Sequence, residues 1–158
     1  QVNDVNTHAS VGKSTFMAWG EGALHLVWSD TRDDSEGDVY YDQAGPALDF
    51  GVDIMVNDDT YRYQEDPSVA VGDGGACDGT VYVVWQDLRS NDGYDIYGAR
   101  RVAGAPGFDA NVLINPGTDE DQMNPALGVD PDCVVGVTWR DNATNTKFDI
   151  RATFLPLW

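Results

Sequence analysis

Positive charge is what this chain has least of. Nine Lys and Arg stand against 27 Asp and Glu over 158 residues, for a net charge of −18. Such a surface repels phosphate backbones and anionic headgroups, so nucleic acid is excluded as an expected partner. Long apolar runs are missing as well, and none approaches the about 20 residues of a membrane-spanning helix, so no membrane span is expected. The only histidines are His8 and His25, which leaves a catalytic cysteine few partners. Glutamate is scarce too, with four Glu against 23 Asp. Asp is favoured in turns because its short side chain bonds nearby backbone N–H groups.

What is present is one pattern written three times. It reads Trp28-Ser29-Asp30 to Asp38-Val39-Tyr40, then Trp85-Gln86-Asp87 to Asp95-Ile96-Tyr97, then Trp139-Arg140-Asp141 to Asp149-Ile150-Arg151. The second Asp keeps one constant offset from its Trp (28 to 38, 85 to 95, 139 to 149), and the copies recur at nearly equal intervals along the chain. Self-similarity at this period denotes stacked supersecondary units, each needing a neighbour to bury its apolar face.

Within the second unit, Pro67–Val71, Thr80–Trp85, Tyr94–Arg100 and Asn111–Asn115 are runs rich in β-branched and aromatic residues, parted by Gly/Asp/Pro turns and without helical period. The third repeats them at Pro125–Val129, Val134–Trp139 and Phe148–Phe154. The first has Thr15–Trp19, Ala23–Trp28, Asp38–Asp42 and Asp53–Asn57. The expected fold is all-β, a β-propeller of four-stranded antiparallel blades. Blade 1 is expected over about 5–58, blade 2 over about 59–115 and blade 3 over about 116–158. Gln1–Asp4 matches the tail of an outer strand, as at Met55–Asp58 and Leu113–Asn115.

Closed propellers have 4–8 blades. Three blades therefore imply a ring completed by a second copy (six blades), by further sequence, or a polymer joined through edge strands, since an open edge needs cover. Trp28, Trp85 and Trp139 share one repeat position and are expected to wedge neighbouring sheets apart.

The loops after each Trp carry the strongest chemical signal. Asp30, Asp33, Asp34 and Asp38, and then Asp87, Asn91, Asp92 and Asp95, gather oxygen ligands within one short loop each. Calcium takes six to eight such oxygens. The structural alternative is an Arg–Asp clamp, Asp30 with Arg32 and Asp87 with Arg89, and recurrence in every blade favours it. In the third copy Ala143 replaces the Arg while Asp141 and Asp149 survive. Cys77 and Cys133 occupy the first hairpin of adjacent units and could bridge. A secreted or cell-surface setting, the expected one, permits this. Asn142-Ala143-Thr144 is a sequon by pattern only.

The runs Gln64-Glu65-Asp66-Pro67-Ser68-Val69-Ala70-Val71, Val81 to Arg89 and Tyr94-Asp95-Ile96-Tyr97 resemble the blades of secreted sialidase-like (BNR-type) and TolB-like bacterial propellers. The resemblance implies a six- to eight-bladed extracellular propeller. The Ser-x-Asp-x-Gly-x-Thr-Trp box of the sialidases is absent, which favours their looser relatives. Fold does not fix function. A sialidase-like hydrolase would need three arginines, a Tyr nucleophile with a Glu partner and an Asp acid. Arg62 between Tyr61 and Tyr63, with Glu65 nearby, is on offer, but no motif fixes these in catalytic roles. A lectin-like module binding a glycan is the leading expectation. Its candidate contacts are Trp19, Tyr41, Tyr61, Arg62, Tyr63 and Trp158, aromatic faces beside acidic loops. A structural subunit of an extracellular assembly is the alternative.

Overall fold

The computed structural model describes residue 2 and residues 15–33, 35–90, 92–117, 120–142 and 148–156. The expected closing strand at 1–4, apart from Val2, and Trp158, Asp34, Asn91 and Ala143 lie outside the described residues.

Strands β1 (Thr15–Gly20), β2 (Ala23–Asp30), β3 (Asp38–Ala44) and β4 (Ile54–Met55) form the first sheet. Strands β5 (Gln64–Val71), β6 (Val81–Asp87), β7 (Asp95–Arg101) and β8 (Val112–Leu113) form the second. The third holds β9 (Gln122–Val129), β10 (Val134–Asp141) and β11 (Asp149–Pro156). Every pairing is antiparallel between strands consecutive in sequence, so each sheet is a meander. Chain chemistry sets the turns. Glu21 and Gly22 close the first hairpin with φ of 50° and 72°, the left-handed pair that matches the twist of the flanking strands.

The sheets stack face to face, and both cores lie between them. In the first joint, Val27, Val39, Tyr41 and Val56 meet Val69, Val81, Val83, Trp85 and Ala99. In the second, Tyr82, Val84, Ile96 and Ile114 meet Val135, Val137 and Trp139. The second sheet is covered on both sides, which is why β6 is buried along its whole length. The inner strands β5 and β9 each begin before a proline. Asp66 (φ 49°) and Asn124 (φ 53°) turn left-handed there, and the ladder skips at that point. These are β-bulges that bend the strand without ending it.

A disulfide joins Cys77 to Cys133. Cys77 ends a 3-10 turn (Gly75–Cys77) in the β5–β6 hairpin, and Cys133 lies in the β9–β10 hairpin, so the bridge staples blade 2 to blade 3. Among the described residues no helix is long and apolar enough to cross a membrane.

His25 is buried at the other joint. Its Nδ1 lies 2.8 Å from Tyr41 Oη and its Nε2 3.2 Å from the Gly20 carbonyl. Burial lowers its pKa from the usual 6.5; the Gly20 bond opposes this and Arg101 adds to it. The unfolded chain thus binds the proton more readily, and His25's contribution to stability is present above pH 6.5 and lost as pH falls below it. Urea unfolding from pH 8 to pH 5 is expected to show wild type losing more stability than His25→Gln. Equal losses would remove His25 from the acid response.

Candidate functional site: the loop face

Two sets of loops meet at one end of the stacked sheets. The β2–β3 and β6–β7 loops carry the acidic repeat, and the β4–β5 and β8–β9 linkers pass between blades. Backbone bonds knit them together. Gln64 N donates to the Gly37 carbonyl (3.2 Å) and Gln122 N to the Tyr94 carbonyl (2.6 Å); Leu88 N donates to Tyr63 (2.9 Å) and Asn142 N to Asp121 (2.9 Å). The first two are one bond repeated between successive blades, and the last two one bond repeated within blades 2 and 3, where each continues the pairing of the inner strand. Gly93 sits where the approach is tightest, with φ 107°; a Cβ there would meet the Glu120 carbonyl oxygen at 2.5 Å.

Each acidic loop in the first two blades is organised by its first Asp. Asp87, fully buried, accepts from Trp85 Nε1 (2.8 Å), Arg89 N (2.9 Å) and Arg89 Nη2 (2.7 Å). Asp30 does the same with Trp28 Nε1 (3.3 Å), Arg32 N (3.0 Å) and Arg32 Nε (2.9 Å). Each guanidinium lies 4.1 Å over a tyrosine ring, Arg32 over Tyr40 and Arg89 over Tyr97, and reaches a further carboxylate, Asp53 and Asp58 respectively. Burial opposes the charge on both arginines, but the hydrogen bonds to Asp outweigh it, so both hold their protons more tightly than usual.

The second Asp holds a different partner. Asn57 Nδ2 donates to Asp38 (2.7 Å), while its Oδ1 accepts from Val39 N (2.8 Å). Asn115 repeats this with Asp95 (3.0 Å) and Ile96 N (2.7 Å). Burial raises the pKa of Asp95, against the hydrogen bonds from Asn115 and Ser90. Asp33 accepts from Tyr40 Oη, and Asp92 is exposed at the loop tip. Asp30, Asp38, Asp87 and Asp95 thus serve protein donors and pin the loop to the sheet. Asn57 and Asn115 were legible only as strand tails; their signal was an Asn at a near-constant offset from the second Asp in two copies (38 to 57, 95 to 115).

The third copy differs. Asp141 lies 3.4 Å from Arg151 Nε, Trp139 Nε1 has no partner among the described residues, and Asp149 is exposed. Trp28, Trp85 and Trp139 are all buried at the shared position.

The linker Asp59–Tyr63 offers a surface. Tyr61 N is held by Asp59 Oδ1 (2.9 Å), and the Tyr61 carbonyl accepts from Gln64 Nε2 (3.0 Å). The backbone being fixed, the rings stand out, Tyr61 at 52 % and Tyr63 at 37 % exposure. Arg62, left-handed at φ 67°, places its guanidinium 5.5 Å from the Tyr61 ring. Beside them Tyr94 Oη donates to Glu65 Oε2 (3.3 Å), and Asn124 Nδ2 donates to Asp66 (3.2 Å). Burial and then Glu65 keep the Tyr94 phenol above its usual range. Tyr61, Arg62 and Tyr63 are therefore together.

Two other candidates are elsewhere. Tyr41 is not a surface residue: fully buried, it packs edge-on against Phe108 (centroids 5.4 Å apart) in the first joint, and burial pushes its pKa up to about 12. Its alternation on β3 aims it at the neighbouring sheet. Trp19 is exposed, but at the hairpin end of β1. At that same end Glu21, Asp73 and Asp78 bring exposed carboxylates within 4.8 Å of one another, and Asp78 first among the causes raises the Glu21 pKa. They come from the first hairpins of two different blades, and nothing in the repeat signals them.

No protein-family model and no curated protein matches this chain. Solved structures do. A protein of unknown function from Dyadobacter fermentans superposes with a TM-score of 0.68 at 19% identity, over 89% of this chain and 36% of its own. An alpha-L-arabinanase of Penicillium chrysogenum, complexed with arabinobiose, superposes with a TM-score of 0.53 at 15% identity, over 92% of this chain and 45% of its own. The chain spans less than half the length of either. At these identities the likeness is one of fold, and with the three stacked meanders it makes this chain three blades of a β-propeller.

Proposed function

We propose that the chain belongs to an extracellular propeller of the sialidase-like kind and binds carbohydrate on its loop face without turning it over. The observation that carries this is the Tyr61–Tyr63 pair, two exposed rings on a fixed backbone beside the Glu65 and Asp66 carboxylates. Aromatic faces suit the apolar side of a sugar ring, and carboxylates accept from its hydroxyls. The arabinobiose on the arabinanase neighbour supports a sugar as ligand. The Cys77–Cys133 bridge supports an oxidising, extracellular setting.

Calorimetric titration with arabino-oligosaccharides and a wider glycan panel tests it. Wild type is expected to bind, and Tyr61→Ala/Tyr63→Ala is expected to bind at least about tenfold more weakly, the size of one lost stacking contact. The double variant should leave the urea midpoint unchanged, because both rings are exposed. Equal binding by the variant would move the site off this linker. Release of shorter sugars would make the protein a hydrolase instead.

A further inference from the structure

Where a blade departs from the repeat, its residues answer to something other than the fold they share. Trp28 pairs with Tyr40 and Trp85 with Tyr97, which aligns blades 1 and 2. On that register Tyr41, Asp42 and Gln43 of β3 stand where blade 2 has Gly98, Ala99 and Arg100, and His25 stands where it has Tyr82. Arg101 of β7 stands where blade 1 has Ala44 and blade 3 has Leu155. These polar departures gather about the first joint, at the end of the stack opposite the loop face.

A cavity of about 300 Å³ lies there, between β3, the β3–β4 connection and the end of β7. Tyr41 backs it, Gln43, Asp49 and Arg101 supply its polar lining, and Val52 and Ile54 its apolar lining. Asp42, 3 % exposed, fixes the wall, its Oδ1 accepting from Gln43 N (2.7 Å) and Gly51 N (3.2 Å). The Tyr41 hydroxyl, 2.8 Å from His25 Nδ1, donates to Gln43 Oε1 (2.6 Å), so Gln43 has its Nε2 left to donate. Arg101 is half-buried. Its Nε donates to the Ala105 carbonyl (2.8 Å), and its guanidinium lies 5.7 Å from the Tyr41 ring centre. Arg32, Arg89, Arg100 and Arg151 each hold a carboxylate within ion-pair distance. Arg101 holds none among the described residues, in a chain of 27 acids and 9 bases.

We propose that this cavity binds a small zwitterion, an α-amino acid with an aliphatic side chain. Arg101 and Gln43 Nε2 take the carboxylate, for which a guanidinium is the preferred partner. Asp49, exposed at the mouth, takes the ammonium, and Val52 and Ile54 face the side chain. The volume is at the lower end of the range of small-ligand sites and suits a molecule of that size. Both charges are needed on the ligand. A simple anion would satisfy Arg101 but meet the repulsion of a net charge of −18, and a neutral sugar would leave the guanidinium without a counter-charge.

Calorimetric titration with L-leucine tests the site, beside isocaproate and isoamylamine, analogues that each lack one of the charges. Wild type is expected to bind L-leucine, and to bind either analogue at least about tenfold more weakly, the size of one lost charge-assisted contact. Arg101→Gln should weaken L-leucine binding by a similar factor. Val52→Glu, at a position 79 % exposed, sets a competing carboxylate at the mouth and should abolish binding without touching the core. Cooperative urea unfolding checks that both variants fold, and if Arg101→Gln does not, Val52→Glu decides. Absence of L-leucine binding by wild type would overturn the proposal. So would isocaproate bound as tightly as L-leucine, or a folded variant that binds L-leucine as wild type does.

Discussion

Reducing the Cys77–Cys133 bridge, or replacing it with Cys77→Ser/Cys133→Ser, is expected to lower unfolding stability by about 4 kcal/mol. The bridge joins positions separated by 56 residues. Loop-closure entropy for that length gives roughly 14 cal/mol/K, which is about 4 kcal/mol at 25 °C. Domains of this size have about 5–15 kcal/mol in total, so the loss is a large share. The effect lies mainly in the unfolded chain, which becomes free to expand. Guanidinium unfolding should therefore show a lower midpoint together with a steeper m-value. A loss below about 1 kcal/mol would mean that the packing of the second joint already holds the hairpins and the bridge adds little.

Asp87→Ala is the second large effect, with an expected loss of about 3–5 kcal/mol. The substitution leaves Arg89 mostly buried without its main counter-charge and leaves the Trp85 indole N–H unpaired at zero exposure. Asp58 remains to Arg89, but that carboxylate is half exposed and screened. The matched control is Asp141→Ala in blade 3. There the partner Arg151 is exposed and the Trp139 N–H has no partner among the described residues, so the loss should stay under about 1 kcal/mol. Equal losses at the two positions would show that the clamp is not what stabilises the repeat. Adding EDTA to wild type separates the two roles of these carboxylates. A clamp is indifferent to chelation, whereas calcium ligation would lower the midpoint.

Much of this architecture was legible in the residues. The three Trp–Asp–Asp copies placed every sheet, and β2, β3, β6, β7 and β10 fall where alternation and turns put them. Two boundaries went differently, for local reasons. The fourth strands shrank to Ile54–Met55 and Val112–Leu113, because the Asn57 and Asn115 side chains take over bonds to Val39 N and Ile96 N. The inner strands reach back past Pro67 and Pro125 to Gln64 and Gln122. A proline reads as a strand boundary, but a left-handed Asp66 or Asn124 absorbs it in a bulge.

The site was legible only in its residue types. Tyr41 and Tyr61 are alike as sequence, each aromatic and near acids. Which one faces water was settled by the neighbouring blade, whose β7–β8 connection covers Tyr41 with Phe108 while the linker carrying Tyr61 stays open. As sequence the acidic loops read as calcium ligands or as clamps; the structure sets guanidinium and indole donors around Asp30 and Asp87, and chelation is the test of the calcium reading.

By itself, then, the sequence determined the strands, their order and the Trp that recurs at one position of each blade. Those follow from side-chain alternation and turn chemistry, which act over short stretches of chain. Tertiary structure alone decided that Cys77 meets Cys133, which carboxylates are spent on arginine, and which tyrosines reach solvent. Those outcomes depend on the distance between sheets whose residues lie far apart along the chain, and no local pattern encodes that distance.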